Sequence, residues 1–139
     1  MKQIFINLPV KNLEQSMRFY TQLGFTNDAL FTDENQKCMI WSEQIYVMLQ
    51  SKDFFGSWIQ NPLSDTKNNT AATYTLPVES LDKVNEIIEN GLKAGGTEPN
   101  PLLDEGFMQV RAIEDLDGHI WNIIYLDINK FKELKTANR

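Results

Sequence analysis

The sequence predicts an α+β domain made of two β-α-β-β-β modules, and three observations lead to this fold class. The first is an internal repeat, Leu-Pro-Val-x-x-Leu, which occurs at residues 8–13 and again at residues 76–81. The second is its context, because each copy follows a strand-like segment and precedes a helical pattern. The third is the change to alternating apolar residues after each helical pattern, which is typical of strands.

The first module begins with a strand at residues 4–7 that leads into a helix. Asn12 is the expected N-cap, with Gln15 three residues later as in a capping box, and Gly24 is the expected end of the helix. The apolar stripe of this helix consists of Leu13, Met17, Tyr20 and Leu23. Three strands are then predicted at residues 25–31, 37–41 and 45–50.

The segment after the first module carries aromatic side chains and then polar ones. Residues 52–59 predict a short aromatic helix, and residues 61–71 predict a polar connection. We therefore expect one domain over residues 1–127, followed by a short helical tail over residues 128–139. Within that domain, the first module spans about residues 1–50, the connector about 51–70 and the second module about 71–127.

The second module repeats the pattern of the first. A strand at residues 72–75 leads to Ser80, the expected N-cap, and Gly95-Gly96 ends the helix. Its apolar stripe consists of Leu81, Val84, Ile88 and Leu92. The strands that follow are a weak edge strand at residues 97–103, broken by two prolines, and a hairpin formed by residues 107–114 and 119–127. The Asp117-Gly118 dipeptide between two apolar runs is a strong signal for that hairpin.

Composition excludes several classes of protein. No apolar run among the 139 residues is long enough to span a bilayer, and the N-terminus does not resemble a signal peptide. The net charge of −6 argues against a nucleic-acid partner. The chain has a single histidine, His119, and a single cysteine, Cys38, so it cannot build a zinc site of the common kinds or an internal disulfide. A cytoplasmic location is therefore expected.

Individual polar side chains have simple interpretations. We expect His119 on the surface or in the hairpin turn, and Cys38 as an unreactive core residue. Arg111 lies in the middle of a strand, so its guanidinium either pairs internally or binds an anion. The acidic residues around the last hairpin are expected to be solvated; they are Glu114, Asp115 and Asp117.

Three segments together resemble the vicinal-oxygen-chelate superfamily of glyoxalase I, bleomycin-resistance proteins and extradiol dioxygenases. They are Asn7–Leu13, Arg18–Phe25 and Glu114–His119, and the resemblance covers about residues 3–127. It implies a U-shaped, open mixed sheet around a concave cavity that holds the ligand. It also implies a homodimer, because members of the superfamily commonly pair their modules across chains.

Metal-dependent members of that superfamily place one metal ligand on each of four strands. In this sequence the four positions fall on Phe5, Met48, Thr73 and Asn122. Phenylalanine and methionine cannot bind a hard divalent cation, and threonine and asparagine are weak neutral donors. The resemblance therefore implies a cavity without the usual metal, and we expect no other cofactor.

The expected function is the binding of a small organic molecule, planar or cationic, as in the bleomycin-resistance proteins. The alternative is a glyoxalase-like lyase, or another enzyme of this superfamily, with a non-standard site. A weaker third hypothesis is a partner-binding domain that uses the basic tail at residues 130–139. No catalytic residue can be assigned. The residues expected to bind the ligand are Phe5, Asn7, Tyr46, Met48, Thr73, Asn122 and Arg111, and the aromatic segment at residues 54–58 is a candidate lid.

Overall fold

The computed structural model describes residues 1–137, and residues 138 and 139 of the predicted tail lie outside this range. In the described part, the two modules have the predicted β-α-β-β-β order, and a helix follows each of them. The elements are β1 (Ile4–Val10), α1 (Leu13–Leu23), β2 (Thr26–Asp28), β3 (Gln36–Ile40), β4 (Ile45–Ser51), α2 (Lys52–Gly56), β5 (Thr73–Pro77), α3 (Leu81–Lys93), β6 (Leu103–Asp104), β7 (Met108–Glu114), β8 (Ile120–Leu126) and α4 (Ile128–Ala137).

Each module forms its own four-stranded mixed sheet. The strand order is β1-β4-β3-β2 in the first sheet and β5-β8-β7-β6 in the second. In both sheets the first strand of the module runs parallel to the last, and the remaining neighbours are antiparallel. The predicted α+β fold class, with open mixed sheets, is confirmed.

Strand register shows which positions of the two modules are equivalent. Asn7 on β1 lies opposite Met48 on β4, and Thr75 on β5 lies opposite Asn122 on β8. Asn7 and Thr75 are also equivalent in the sequence repeat. Met48 and Asn122 therefore occupy the same position in their modules.

The two long helices begin at the predicted caps. The side-chain oxygen of Asn12 accepts the N–H of Gln15 at 3.0 Å, and that of Ser80 accepts the N–H of Lys83 at 3.0 Å. Helix α1 ends at Gly24, whose φ of 122° disfavours any residue with a Cβ. Among residues 1–137 no helix is long and apolar enough to cross a membrane.

Two predicted strands are shorter in the structure. The strand expected over residues 25–31 ends at Asp28, because the Asp28 carboxylate accepts the N–H of Leu30 and starts a 3₁₀ turn over Ala29–Phe31. The edge strand expected over residues 97–103 is reduced to a bridge between Thr97 and Glu114 and to the two residues of β6. The prolines between them have no N–H to donate to the neighbouring strand.

One hydrophobic core joins the two modules. It contains buried side chains from α1 and α3 and from one face of each sheet, among them Tyr20, Leu49, Ile88 and Trp121. Because these two sheet faces contribute to the same core, the other face of each sheet points away from that core. We call these other faces the open faces of the first and second sheets.

Candidate ligand-binding site

The open face of the first sheet carries an aromatic pair. Strand alternation places Phe5 and Asn7 of β1 on this face, together with Tyr46, Met48 and Gln50 of β4. The ring of Phe5 stacks on that of Tyr46 with centroids 4.5 Å apart and an interplanar angle of 12°. Phe5 keeps 51% of its surface exposed. A flat apolar surface is therefore available at this end of β1 and β4.

Beside this pair lies a cavity of about 660 Å³ with two kinds of wall. One wall consists of carboxamide side chains on three adjacent strands, and the other consists of apolar side chains from α2 and the residues that follow it. The lining residues are Asn7, Gln36, Gln50, Phe54, Phe55, Trp58 and Ile59. The segment predicted as a candidate lid therefore borders the cavity.

The position of the apolar wall follows from how α2 starts. The hydroxyl oxygen of Ser51, the last residue of β4, accepts the N–H of Phe54 at 3.2 Å, so the helix turns directly off the strand. Phe54 and Trp58 then meet edge to face, with ring centroids 6.1 Å apart. Trp58 keeps 75% of its surface exposed, so its indole is free to contact a bound molecule.

The sequence interpretation missed Gln36. It lies directly opposite Gln50 across β3 and β4, and the Gln50 amide donates to the Gln36 carbonyl at 3.1 Å. The predicted strand started one residue later, at Lys37, which left Gln36 in a turn. Its alternation with Cys38 and Ile40 is the signal that would have placed it on the open face.

Thr73 and Asn122 lie on the open face of the second sheet. Asn122 is opposite Thr75, to which its amide donates at 3.4 Å, and Thr73 is opposite Ile120. Neither Thr73 nor Asn122 lines the 660 Å³ cavity. Within one chain, the predicted ligand-binding residues are thus divided between two open faces.

Arg111 lies apart from the other predicted ligand-binding residues, on the core side of the second sheet. Its strand position shares the face of Ile113, which is in the core, so Arg111 points towards α3. Its guanidinium donates to both oxygens of Glu98, at 2.9 and 2.8 Å, to Glu89 at 3.1 Å and to Asn85 at 3.0 Å. Of the two alternatives for this residue, the structure matches internal pairing.

The side chains at the four metal-ligand positions do not fit a divalent cation. Phe5 has no donor atom, and Met48 offers only a thioether, which suits soft metals. Thr73 and Asn122 offer neutral oxygens, and they lie on the other sheet. Among residues 1–137, no group of three or more His, Cys, Asp or Glu side chains is placed to hold a metal. The donor set therefore does not fit the divalent metal that metal-dependent members hold at these four positions according to the resemblance.

The expectation that the last hairpin turn is solvated was wrong. Asp115, Asp117 and His119 are all buried, with 6%, 6% and 8% of their surfaces exposed. Asp115 accepts a hydrogen bond from the Tyr20 hydroxyl at 2.6 Å, and burial raises the pKa of this carboxyl group. The partners of these residues lie in the first module, about a hundred residues earlier, so no local pattern indicates their burial.

The same turn is also hydrogen-bonded to the end of β1. Asp117 accepts the N–H of Lys11 at 2.8 Å, and Nε2 of His119 lies 2.8 Å from the carbonyl oxygen of Pro9. Because a carbonyl oxygen only accepts hydrogen bonds, Nε2 carries the proton in this contact. These bonds give His119 a structural role at the junction of the modules.

The expected burial of Cys38 is confirmed.

Comparisons with known proteins agree with this architecture. No protein-family model and no curated protein sequence matches the chain. Among solved structures, a hypothetical protein from S. aureus is 23% identical, with a TM-score of 0.77 over 90% of this chain and 94% of that one. A glyoxalase-related enzyme from Fulvimarina pelagi is 20% identical, with a TM-score of 0.76 over 90% and 88%.

A third similar structure has a description that names a family. It is a glyoxalase/bleomycin resistance protein/dioxygenase family enzyme from Burkholderia phytofirmans, 10% identical, with a TM-score of 0.74 over 91% of this chain and 99% of that one. At these identities the likeness concerns the fold and not the activity. The resemblance drawn from the sequence is confirmed at the level of the fold: this chain has the fold of the glyoxalase/bleomycin-resistance/dioxygenase proteins.

Proposed function

We propose that this chain binds a small planar organic molecule in the cavity over the first sheet, without a divalent metal. The observation that carries the proposal is the lining of that cavity, in which three carboxamides face three aromatic rings and an isoleucine. Ligand pockets are typically apolar and aromatic with a few placed polar groups, and they have volumes of roughly 300–1,000 Å³. The value of about 660 Å³ falls within that range.

The lining favours an uncharged ligand over a cationic one. None of the seven lining side chains is ionisable, so a bound cation would lose water without gaining a carboxylate partner. Trp58 and Phe54 offer ring faces or edges for stacking on a flat molecule. The exposed stack of Phe5 on Tyr46 extends the apolar surface beyond the cavity.

We further propose that the chain forms a homodimer through an open sheet face. On the second sheet this face carries Val110, Ile120 and Ile124, which stay half-exposed, next to Leu103, which is 46% exposed. An apolar sheet face of this kind is commonly covered by a partner. Sedimentation should give twice the chain mass, and Val110→Lys should shift the protein to monomer. A monomer at high protein concentration would contradict this part of the proposal.

A thermal-shift screen tests the proposed function. Planar heteroaromatic compounds should raise the melting temperature, whereas Zn²⁺, Mn²⁺ and Ni²⁺ should not. Trp58→Ala should weaken binding of the compounds that stabilise the protein, and Leu30→Ala is the matched control, because Leu30 is 80% exposed and outside the cavity. Stabilisation by a divalent metal, together with metal-dependent isomerisation of a hemithioacetal, would overturn the proposal in favour of a lyase.

A further inference from the structure

The two glutamines of the cavity form a hydrogen-bonded pair. Gln36 and Gln50 lie opposite each other in the antiparallel β3–β4 pair, and one hydrogen bond of 3.1 Å links their carboxamides. Gln50 is only 8% exposed, and strands on both sides hold its backbone. The two amides are therefore fixed before any ligand arrives.

One hydrogen bond leaves one carbonyl and one NH₂ group of the pair without a partner in the other carboxamide. Each carboxamide has a carbonyl oxygen and an NH₂ group, and the link uses the NH₂ of Gln50 and the carbonyl of Gln36. The carbonyl of Gln50 and the NH₂ of Gln36 make no further side-chain hydrogen bond among residues 1–137. Rotating both amides by 180° exchanges the two roles. In either orientation one whole carbonyl and one whole NH₂ group remain for a ligand.

We infer that this pair recognises the edge of a lactam or imide ring, in which an N–H and a C=O group are adjacent. The ring N–H donates to the free glutamine carbonyl, and the ring C=O accepts from the free glutamine NH₂. The apolar wall formed by Phe54 and Trp58 stacks on the ring itself. This inference rests on the proposed function and deepens it, because it names the class of ligand.

The rest of the cavity agrees with a neutral polar edge on a flat ring. Asn7 supplies a third carboxamide on β1, and its side chain makes no hydrogen bond among the described residues. A site with fixed polar groups rejects an analogue that lacks the matching groups, because its own donors and acceptors then stay unpaired. A purely aromatic hydrocarbon would leave three amides in that state.

A pair of matched probes tests the inference by calorimetric titration. 2-Quinolone carries the lactam edge, and N-methyl-2-quinolone keeps the ring and the carbonyl but has lost the N–H. We expect the wild-type protein to bind 2-quinolone about five- to tenfold more tightly, which corresponds to one neutral hydrogen bond. In Gln50→Leu, which removes the carbonyl that accepts the ring N–H, this preference should disappear. Gln109→Leu, which changes a half-buried glutamine on the second sheet, should retain it.

The outcomes separate this inference from the proposed function. Equal affinities for the two probes, both reduced by Trp58→Ala, would overturn the lactam inference and leave planar binding in place. Binding of neither probe would also overturn it, while the wider compound screen would still decide the proposed function. A second variant, Gln36→Glu, removes the donor without changing side-chain size. If it binds 2-quinolone as well as the wild type does, the assigned role of Gln36 is wrong.

Discussion

The hydroxyl group of Tyr20 on α1 donates a 2.6 Å hydrogen bond to the carboxylate of Asp115 and accepts one of 2.9 Å from the indole of Trp121. All three residues are buried. Burial, followed by the negative charge of Asp115, raises the pKa of Tyr20 well above its usual value. The phenol therefore stays protonated and serves as the donor that the buried carboxylate requires. These two bonds hold the first module to the last hairpin.

Removing this hydroxyl should destabilise the whole domain. Tyr20→Phe leaves the Trp121 N–H without an acceptor and takes one donor from Asp115, so we expect a loss of about 1–3 kcal/mol in the free energy of unfolding. Urea denaturation measures it. Tyr125→Phe is the control, because Tyr125 packs against the same core and its hydroxyl makes no hydrogen bond among residues 1–137. A similar loss of unfolding free energy in both variants would show that the hydrogen bonds of the Tyr20 hydroxyl do not stabilise the domain.

The Arg111–Glu98 pair predicts an acid-dependent part of the stability. The hydrogen bonds from Arg111 lower the pKa of Glu98 below its usual value. The pair therefore stabilises the fold fully above the unfolded-state pKa of about 4.3, and this contribution is lost as the pH falls through the lower pKa of the folded state. Glu98→Gln should be less stable than wild type at pH 7 and should approach it near pH 2.

Urea midpoints at several pH values measure that difference. The control is Glu43→Gln, a change at an exposed turn residue. Its midpoint should follow the wild type at every pH. A Glu98→Gln deficit that stays constant from pH 7 to pH 2 would mean that the ion pair is not its source.

An alanine substitution should destabilise the protein to different extents at two glycines with similar φ angles. Gly118 has φ of 92° and lies against the backbone of Thr66, whereas Gly106 has φ of 81° and no neighbour within 4 Å of an added methyl group. Gly106→Ala should cost only the backbone strain, about 1–2 kcal/mol. Gly118→Ala should cost more, and it should also displace the connector, whose Thr66 hydroxyl donates to the carbonyl of Asp117.

Limited trypsin digestion tests whether Gly118→Ala displaces the connector, because Lys67 follows Thr66 in that segment. Cleavage after Lys67 should be faster in Gly118→Ala than in Gly106→Ala under native conditions. Equal cleavage rates in the two variants would show that the connector does not depend on its contact with the hairpin turn.

The single thiol should be unreactive in the folded protein. Cys38 is fully buried, and burial, together with the charge of Asp28, raises the pKa of the thiol. Since the thiolate is the reactive form, Ellman's reagent should label the native protein at least about 100-fold more slowly than the protein in urea. Ser42→Cys in a Cys38→Ser background gives a half-exposed thiol for comparison. Equal labelling rates would contradict the burial.

Local patterns explain what the sequence predicted well. The caps Asn12 and Ser80 and the glycine after α1 are decided within a few residues, and all three lie where expected. Strand alternation puts Arg111 and Ile113 on one face of β7. It cannot indicate which face the helices cover, because that depends on tertiary packing. For the same reason the burial of the Asp115–His119 turn was missed.

The hydrogen bonds between that turn and the first module have a consequence for folding during translation. Its bonds to Tyr20, Lys11 and Pro9 span 95, 106 and 110 residues. While the ribosome is still making the last hairpin, the first helix has no Trp121 to cover it, and its apolar stripe stays open to other chains. Contacts of such long sequence separation also form slowly. We therefore expect the chain to aggregate more readily before β8 has been synthesised than after the two modules have folded together.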